Sequence, residues 1–385
     1  MIGKYDAAVV GGGPAGTITA GILAEHHDVI VLEEHASSGL PMQCAGLVTQ
    51  DVLDMCGVRP EILNRIRGAD VLFPSGGRIE VRTKDTKALL IDRTDLDKKL
   101  AEKASNKGAD IRYGMRYASH KMTEESVRIT ANGDELQSKL IIGADGQGSS
   151  VATSLGSNLP KEYIYGIEAD VRHTSEYSDL MVLRIGSKFA PGFFSWEIPF
   201  GDMTRIGMCV DPGTGRPIEY LKKLMNELNI GTDNITSKYS GKIPLGGRPR
   251  SYGDRTLMIG DAAGQVKPVS GGGLQPICKA APILARTAKE SIAGNNTSSK
   301  FLSGYEKEWK KVLGGELSKG YKIRKIFTSL SDEEFDKVFK IIDKEDIRAI
   351  LNNIDLDNPS SVARPMLRHP GVGIRLLPMM IRGLI

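Results

Sequence analysis

Two kinds of hydrophobic pattern divide this chain. Near the N-terminus, short continuous apolar runs are joined by helix-compatible stretches. Tyr5–Val10 ends in β-branched residues, the turn Gly11-Gly12-Gly13-Pro14-Ala15-Gly16 follows, and a helix-compatible stretch reaches about Glu25. Val29–Leu32 is then a second strand, closed by the acid Glu33, so the segment predicts one βαβ unit. Ile91–Gly108 reads as a strand end leading into a charged helix, and Leu140–Ala144 as another short apolar strand. From Tyr163 to Asp211 the period changes: Tyr163–His173, Leu180–Ile185, Phe193–Pro199 and Thr204–Val210 are strand-like runs separated by turn residues. Gly201-Asp202 sits where a hairpin between the last two would turn. This predicts an antiparallel sheet inserted into an α/β framework. At Thr256–Asp261 a buried strand returns, followed by a Gly-rich loop and a helix from about Gly273; residues 298–385 read as mostly helical.

Length adds that 385 residues make two or three domains at roughly 100–200 residues each. Composition adds an excess of Gly, 44 residues, which calls for many positions of positive φ or close approach. A net charge of +4 is too mild to argue for nucleic acid. Six His and four Cys (Cys44, Cys56, Cys209 and Cys278), with no C-x-x-C spacing, argue against a metal site. No apolar leader precedes the first strand and no run of 18 apolar residues occurs, so a cytoplasmic, non-spanning protein is expected.

The motif Gly11-x-Gly13-x-x-Gly16 carries the first chemistry. Gly11 permits the tight turn, Gly13 lets a pyrophosphate approach the backbone, and Gly16 lets helix and strand pack closely. The helix N-terminus then faces the phosphates with free N–H groups. Glu33, at the end of the next strand, is placed to accept hydrogen bonds from ribose hydroxyls. Much later come Gly260-Asp261 and the run Gly271-Gly272-Gly273-Leu274, while Gly143-Ala144-Asp145-Gly146 and the Arg93–Asp97 segment lie between. Taken singly, Asp145 and Asp261 are equally turn acids that cap helices.

In that order, these motifs resemble the FAD-dependent reductase and hydroxylase superfamily typified by aromatic hydroxylases. The resemblance implies a Rossmann-type FAD-binding domain built from residues 1–160 and 241–297. It implies an inserted antiparallel-sheet substrate domain at 161–240, drawing also on about 60–90, and a helical C-terminal region at 298–385. It implies that Asp261 contacts the ribityl chain, and that Gly273 and Leu274 open a helix facing the flavin ring. Ala15, Ala45, Leu47, Arg93 and Ala118 carry over as further cofactor-binding positions.

A narrower resemblance is to the geranylgeranyl reductases, whose aromatic segment Y-x-W-x-F-P is followed by G-x-G. Here it reads Phe194-Ser195-Trp196-Glu197-Ile198-Pro199 with Gly207 beyond; Phe194 replaces Tyr, Ile198 replaces Phe and Cys209 replaces the last Gly. The replacements stay apolar, which keeps a hydrophobic prenyl channel and removes any role for a Tyr hydroxyl. Phe194, Trp196, Pro199 and Gly207 are the implied substrate residues, although Trp196 is equally a sheet-core residue. In Pro41-Met42-Gln43-Cys44-Ala45-Gly46 the resemblance puts Cys44 beside the flavin, as a proton donor or as a packing thiol. The resemblance is nearest to archaeal reductases of prenylated glycerophospholipids. It implies saturation of C=C bonds, with NAD(P)H, ferredoxin or reduced deazaflavin as alternative reductants and with a donor protein as a partner.

The last feature is the tail. After Asp357 there is no acid, while Arg364, Arg368, Arg375 and Arg382 are interspersed with Met366, Leu367, Ile374, Leu376, Leu377, Met379, Met380, Ile381 and Leu384. Such a mixture suits docking on an anionic membrane surface, or equally a helix packed on the domain with solvated Arg heads. Two other classes share the cofactor motifs: a flavin monooxygenase of the aromatic-hydroxylase type, and a non-catalytic flavin-binding module at the membrane.

Overall fold

A computed structural model describes residues 3–156, 159–352 and 355–358 together with 361, 365, 368, 369 and 372. Its first layer is a sheet of parallel strands in the order Thr256–Met258, Asp134–Gly143, Lys4–Val10, Val29–Leu32, Asp110–Arg112. These strands are apolar on both faces because both are covered. Ala7, Val9, Val29, Val31 and Leu140 pack on helices Pro14–Leu23 and Leu274–Ala293. Ala8, Val10, Ile30, Leu32 and Ile141 pack on the hairpin strand Val127–Ala131 and the short helix Ser150–Thr153.

The second layer is a seven-stranded sheet. Its order is Ile235–Leu245, Glu162–Arg172, Met203–Val210, Phe194–Phe200, Leu180–Ile185, Gly68–Leu72, Arg78–Arg82. One face, Ile167, Ala169, Val171, Ile206, Met208 and Val210, is covered by the helix Pro217–Glu227. Two details differ from the sequence reading. The sheet is not wholly antiparallel, because Leu180–Ile185 runs parallel to Gly68–Leu72. Its edge strand also continues to Leu245, beyond the expected boundary at 240, with only weak apolar alternation through Ser237–Gly241 to signal it.

Residues 299–352 are largely helical. Among the described residues, no helix is long and apolar enough to cross a membrane. Of the tail Arg residues, Arg364, Arg375 and Arg382, and with them the apolar positions from Met366 to Leu384 named above, lie outside the described residues; Arg368 is described and exposed.

Candidate active site

Three motifs far apart in sequence converge on the first turn of Pro14–Leu23. Gly11, at φ 106°, backs onto the next parallel strand so closely that a Cβ there would lie 2.3 Å from the Ala144 carbonyl oxygen. A Cβ on Gly16 would lie 1.9 Å from the Gly11 carbonyl oxygen, so the helix can sit this close to the turn only because residue 16 is Gly. Gly260, at φ 66°, presses on the Ala15 methyl, which a Cβ would approach to 3.0 Å. Around Gly13, by contrast, a Cβ would meet nothing within 4 Å, and the helix it opens has no side-chain cap and no acid in its first turn. Open space before an uncapped helix N-terminus is a place for an anion.

Glu33 stands at the end of Val29–Leu32 with its carboxylate turned into this loop. Oε2 accepts the Gly12 N–H at 2.7 Å, and Oε1 accepts the His35 N–H at 2.8 Å, with His35 Nδ1 at 2.6 Å. Glu34 points outward and pairs with Arg116 at 3.4 Å, so the inward register belongs to Glu33. The chain after His35 returns beside it, since the Met115 N–H donates to the Glu33 carbonyl; three residues on, Ala118 is exposed on the strand Tyr117–Met122.

At the other end of the cleft, Asp261 follows Gly260. Burial pushes its carboxyl up to about 6, against the pull of Arg93 and Arg248. Among the described residues its side chain has no protein hydrogen-bond partner in view, and Oδ1 lies 3.3 Å from where a Gly273 Cβ would be. Gly273 opens Leu274–Ala293 with no side-chain cap, and Leu274 is its first residue. Asp145 is different: it accepts from Ser149 Oγ and from the Ser150 and Val151 N–H groups, so it caps the helix Ser150–Thr153.

An adenosine ribose suits Glu33, a pyrophosphate suits Gly13 and the uncapped helix, and a polyol chain suits the unpartnered Asp261. The residues fit FAD, which when bound supplies two-electron redox chemistry at its ring.

Between this cleft and the seven-stranded sheet runs the loop bearing Cys44. Gly46 anchors it: its carbonyl accepts the Ile91 N–H at 2.9 Å, and at φ 77° a Cβ would lie 2.5 Å from the Ile91 oxygen. Cys44 Sγ accepts the Gly46 N–H at 3.4 Å and lies within hydrogen-bonding reach of the half-buried Arg93 guanidinium. Arg93 also grips Asp97 through both carboxylate oxygens at 3.0 and 3.1 Å. Ala45 and Leu47 pack in one apolar cluster with Trp196 and Ile198, which joins this loop to the second sheet.

That sheet turns its other face toward the loop. In register across it stand Tyr239, Glu168, Gly207 and Trp196, and one row further Gly241, Gly166 and Cys209. A Cβ on Gly207 would lie 2.6 Å from Trp196 Cζ2, and one on Gly241 would lie 3.7 Å from Gln43 of the loop. The Cys209 thiol fills the space over Gly166, at 3.1 Å from a Cβ there, so the Gly that the sequence lacks at 209 is supplied by the neighbouring strand. Phe194 stacks on Phe193 and meets Trp196 edge-on, at ring-centroid distances of 4.2 and 6.2 Å. Pro199 does not belong here. Strand alternation puts it on the reverse face, paired with Thr204, and its carbonyl accepts from Asn64 at 2.7 Å.

Sequence reading missed the polar part of this face. Arg205 binds Asp170 through Nε and Nη2 at 2.7 and 2.9 Å, and Nη1 donates to the Ala45 carbonyl at 2.7 Å. Glu168 beside them is 5% exposed. A separate cavity of about 670 Å³, between Gly186–Phe193 and Phe327–Phe335, contains none of these residues.

A Gly-rich turn answered by a strand-end acid, with a second Gly-Asp motif against its helix, defines a flavin-binding α/β protein. The family model for the FAD binding domain matches residues 4–200. A protein of Methanothermobacter thermautotrophicus named digeranylgeranylglycerophospholipid reductase 2 is 31% identical, over 90% of this chain and 94% of its own. An uncharacterized protein of Methanocaldococcus jannaschii is 29% identical, over 97% of this chain and 98% of its own. In structure, a geranylgeranyl bacteriochlorophyll reductase-like protein from Thermoplasma acidophilum is similar at a TM-score of 0.85 and 22% identity, over 98% of this chain and 99% of that one. The chain belongs to the geranylgeranyl reductase family of FAD-dependent oxidoreductases.

Proposed function

We propose that this enzyme saturates geranylgeranyl double bonds of archaeal membrane phospholipids, in ether-lipid biosynthesis. The observation that carries the reading is the row Glu168–Gly207–Trp196, on the sheet face that the Cys44 loop packs against. A face floored by Gly166, Gly207 and Gly241 and edged by Phe194, Trp196 and Ile243 suits a thin apolar chain better than a compact polar ring. The name borne by the Methanothermobacter relative supports the same substrate class. An isolated alkene is a poor electrophile, so confinement of the chain and a placed proton source must lower the barrier. The cytoplasmic face of the membrane is the proposed place of work, with the basic tail as the contact. The reductant is NAD(P)H, a ferredoxin or a reduced deazaflavin.

The test is direct. Purified protein, reduced with dithionite under anaerobic conditions, is mixed with digeranylgeranylglycerophospholipid, and flavin reoxidation is followed with mass spectrometry of the lipid. Reoxidation matched by addition of two hydrogens per double bond is expected. Reoxidation only with oxygen and a phenolic substrate would make it a monooxygenase. No substrate-dependent reoxidation of any kind would make it a binding module.

A further inference from the structure

The sheet face opposite the Cys44 loop carries a carboxyl group that forms no ion pair among the described residues. Glu168 is 5% exposed; among the described residues its buried Oε2 and the buried indole N–H of neighbouring Trp196 make no hydrogen bond of full geometry, and that indole is the donor nearest the carboxyl. The obvious cation beside it is aimed at other groups. Arg205 spends Nε and Nη2 on Asp170 and Nη1 on the Ala45 carbonyl. An unpaired buried carboxylate is expensive, and in water-poor surroundings such a group goes neutral. A carboxyl kept at that cost on the sheet face under the Gln43–Gly46 loop is a candidate for acid–base work.

We propose that Glu168 is the proton donor to the alkene carbon that does not receive hydride. The inference rests on the reading of the enzyme as a prenyl reductase. The Glu168 O–H bond breaks and a C–H bond forms at one alkene carbon with the π electrons. The other carbon takes the hydride equivalent that reduced flavin supplies, and the carboxylate left behind is reprotonated from water. Atoms and charge balance without a further co-reactant.

The surroundings agree with a group that is protonated near neutrality. Burial pushes Glu168 up to about 7; Arg205 opposes the rise, Asp170 adds to it, and Trp196 and Arg93 oppose it. Tyr239 stands across the strand pair from it, and the Cys209 thiol, itself pushed up to about 12 by burial, lies on the same face. Cys44, the donor expected from sequence, is arranged differently. Its sulfur accepts the Gly46 N–H and faces the Arg93 guanidinium, so both neighbours are donors to it.

The experiment uses flavin-loaded full-length protein and the variants Glu168→Gln and Glu168→Asp. In Glu168→Gln, flavin content and reduction by dithionite should match wild type, while reoxidation by digeranylgeranylglycerophospholipid should fall at least about tenfold. Glu168→Asp should recover part of the rate. Independently of turnover, the infrared carbonyl band of a protonated carboxyl should fade as pH rises through about 7 in wild type, and that component should be missing from Glu168→Gln. Wild-type reoxidation rates in Glu168→Gln, or the same infrared titration in both proteins, would overturn the assignment. So would loss of flavin and early melting in both variants, which would make the carboxyl structural. If wild type itself saturates no prenyl lipid, the substrate reading fails first, and the infrared titration still reports whether Glu168 holds a proton there.

Discussion

The Trp196 ring lies on Gly207 so closely that a Cβ at 207 would come within 2.6 Å of Cζ2 and 2.7 Å of the Glu168 Cβ. Gly207→Ala therefore has to lift the indole or open the sheet, and overpacking of this kind costs about 1–3 kcal/mol. If Trp196 walls the substrate face, Trp196→Ala should raise KM for a long prenyl lipid far more than it weakens flavin binding. Steady-state kinetics beside flavin titration separates the two. Parallel losses of flavin, activity and melting temperature would assign the indole to the sheet core.

Glu33→Ala should release FAD. The substitution removes the carboxylate suited to accept from a ribose and also orphans the Gly12 N–H. Loss of one charge-assisted hydrogen-bonding group is worth about 1.5–3 kcal/mol, or roughly ten- to a hundredfold in Kd. Glu34→Ala, which among the described residues loses pairs with Arg116 and His35 at the surface, should bind FAD as wild type does. Fluorescence of released flavin on dilution measures both.

Glu168 should make stability depend on pH in an unusual direction. Its carboxyl is raised from 4.5 to about 7 by burial, so the folded state holds this proton more tightly than the unfolded chain. The stabilisation is complete below about 4.5 and is lost as pH rises through 7. Over that window it amounts to about 3 kcal/mol by linkage. Glu168→Gln has no proton to lose there. Denaturant titration should find the variant gaining on wild type from pH 5 to pH 8, whereas a constant difference at both would mean that the group does not titrate in this range.

The parts of this site that sequence made legible share one property: their chemistry is local. Gly11, Gly13 and Gly16 are tied to a strand and a helix within the same segment, and Glu33 ends an apolar run that cannot be anything but a buried strand. Glu168 was hidden by a rule that usually works. Along Glu162–Arg172, Gly166, Glu168 and Asp170 alternate with Ile167, Ala169 and Val171, the pattern of a strand with one wet face. The face is not wet, because the Gln43–Gly46 loop from a distant part of the chain covers it. The available signal was the repetition of the pattern on the next strand, where Arg205 and Gly207 alternate with Ile206 and Met208. Pro199 failed for the converse reason: a motif names adjacent residues, and a strand sends adjacent residues to opposite faces.

Cys44 gives the sharpest division between the two proton sources. Its sulfur sits between the Gly46 N–H and the Arg93 guanidinium, on a loop whose next residue holds Arg205. Cys44→Ser keeps a small polar group in that position but draws it back from Arg93, and Cys44→Ala removes it. If the thiol supplies the proton, both variants should lose at least about tenfold in flavin reoxidation by prenyl lipid, equal to about 1.4 kcal/mol of barrier, with flavin reduction unchanged. If Glu168 supplies it, Cys44→Ala should keep most of the rate, because what it loses is a neighbour of Arg93. Stopped-flow reoxidation of the two Cys variants beside Glu168→Gln decides the matter. Equal losses in all three would point to a shared proton path across the Ala45–Arg205 contact, and the double variant Cys44→Ala with Glu168→Gln would then be no slower than either single one.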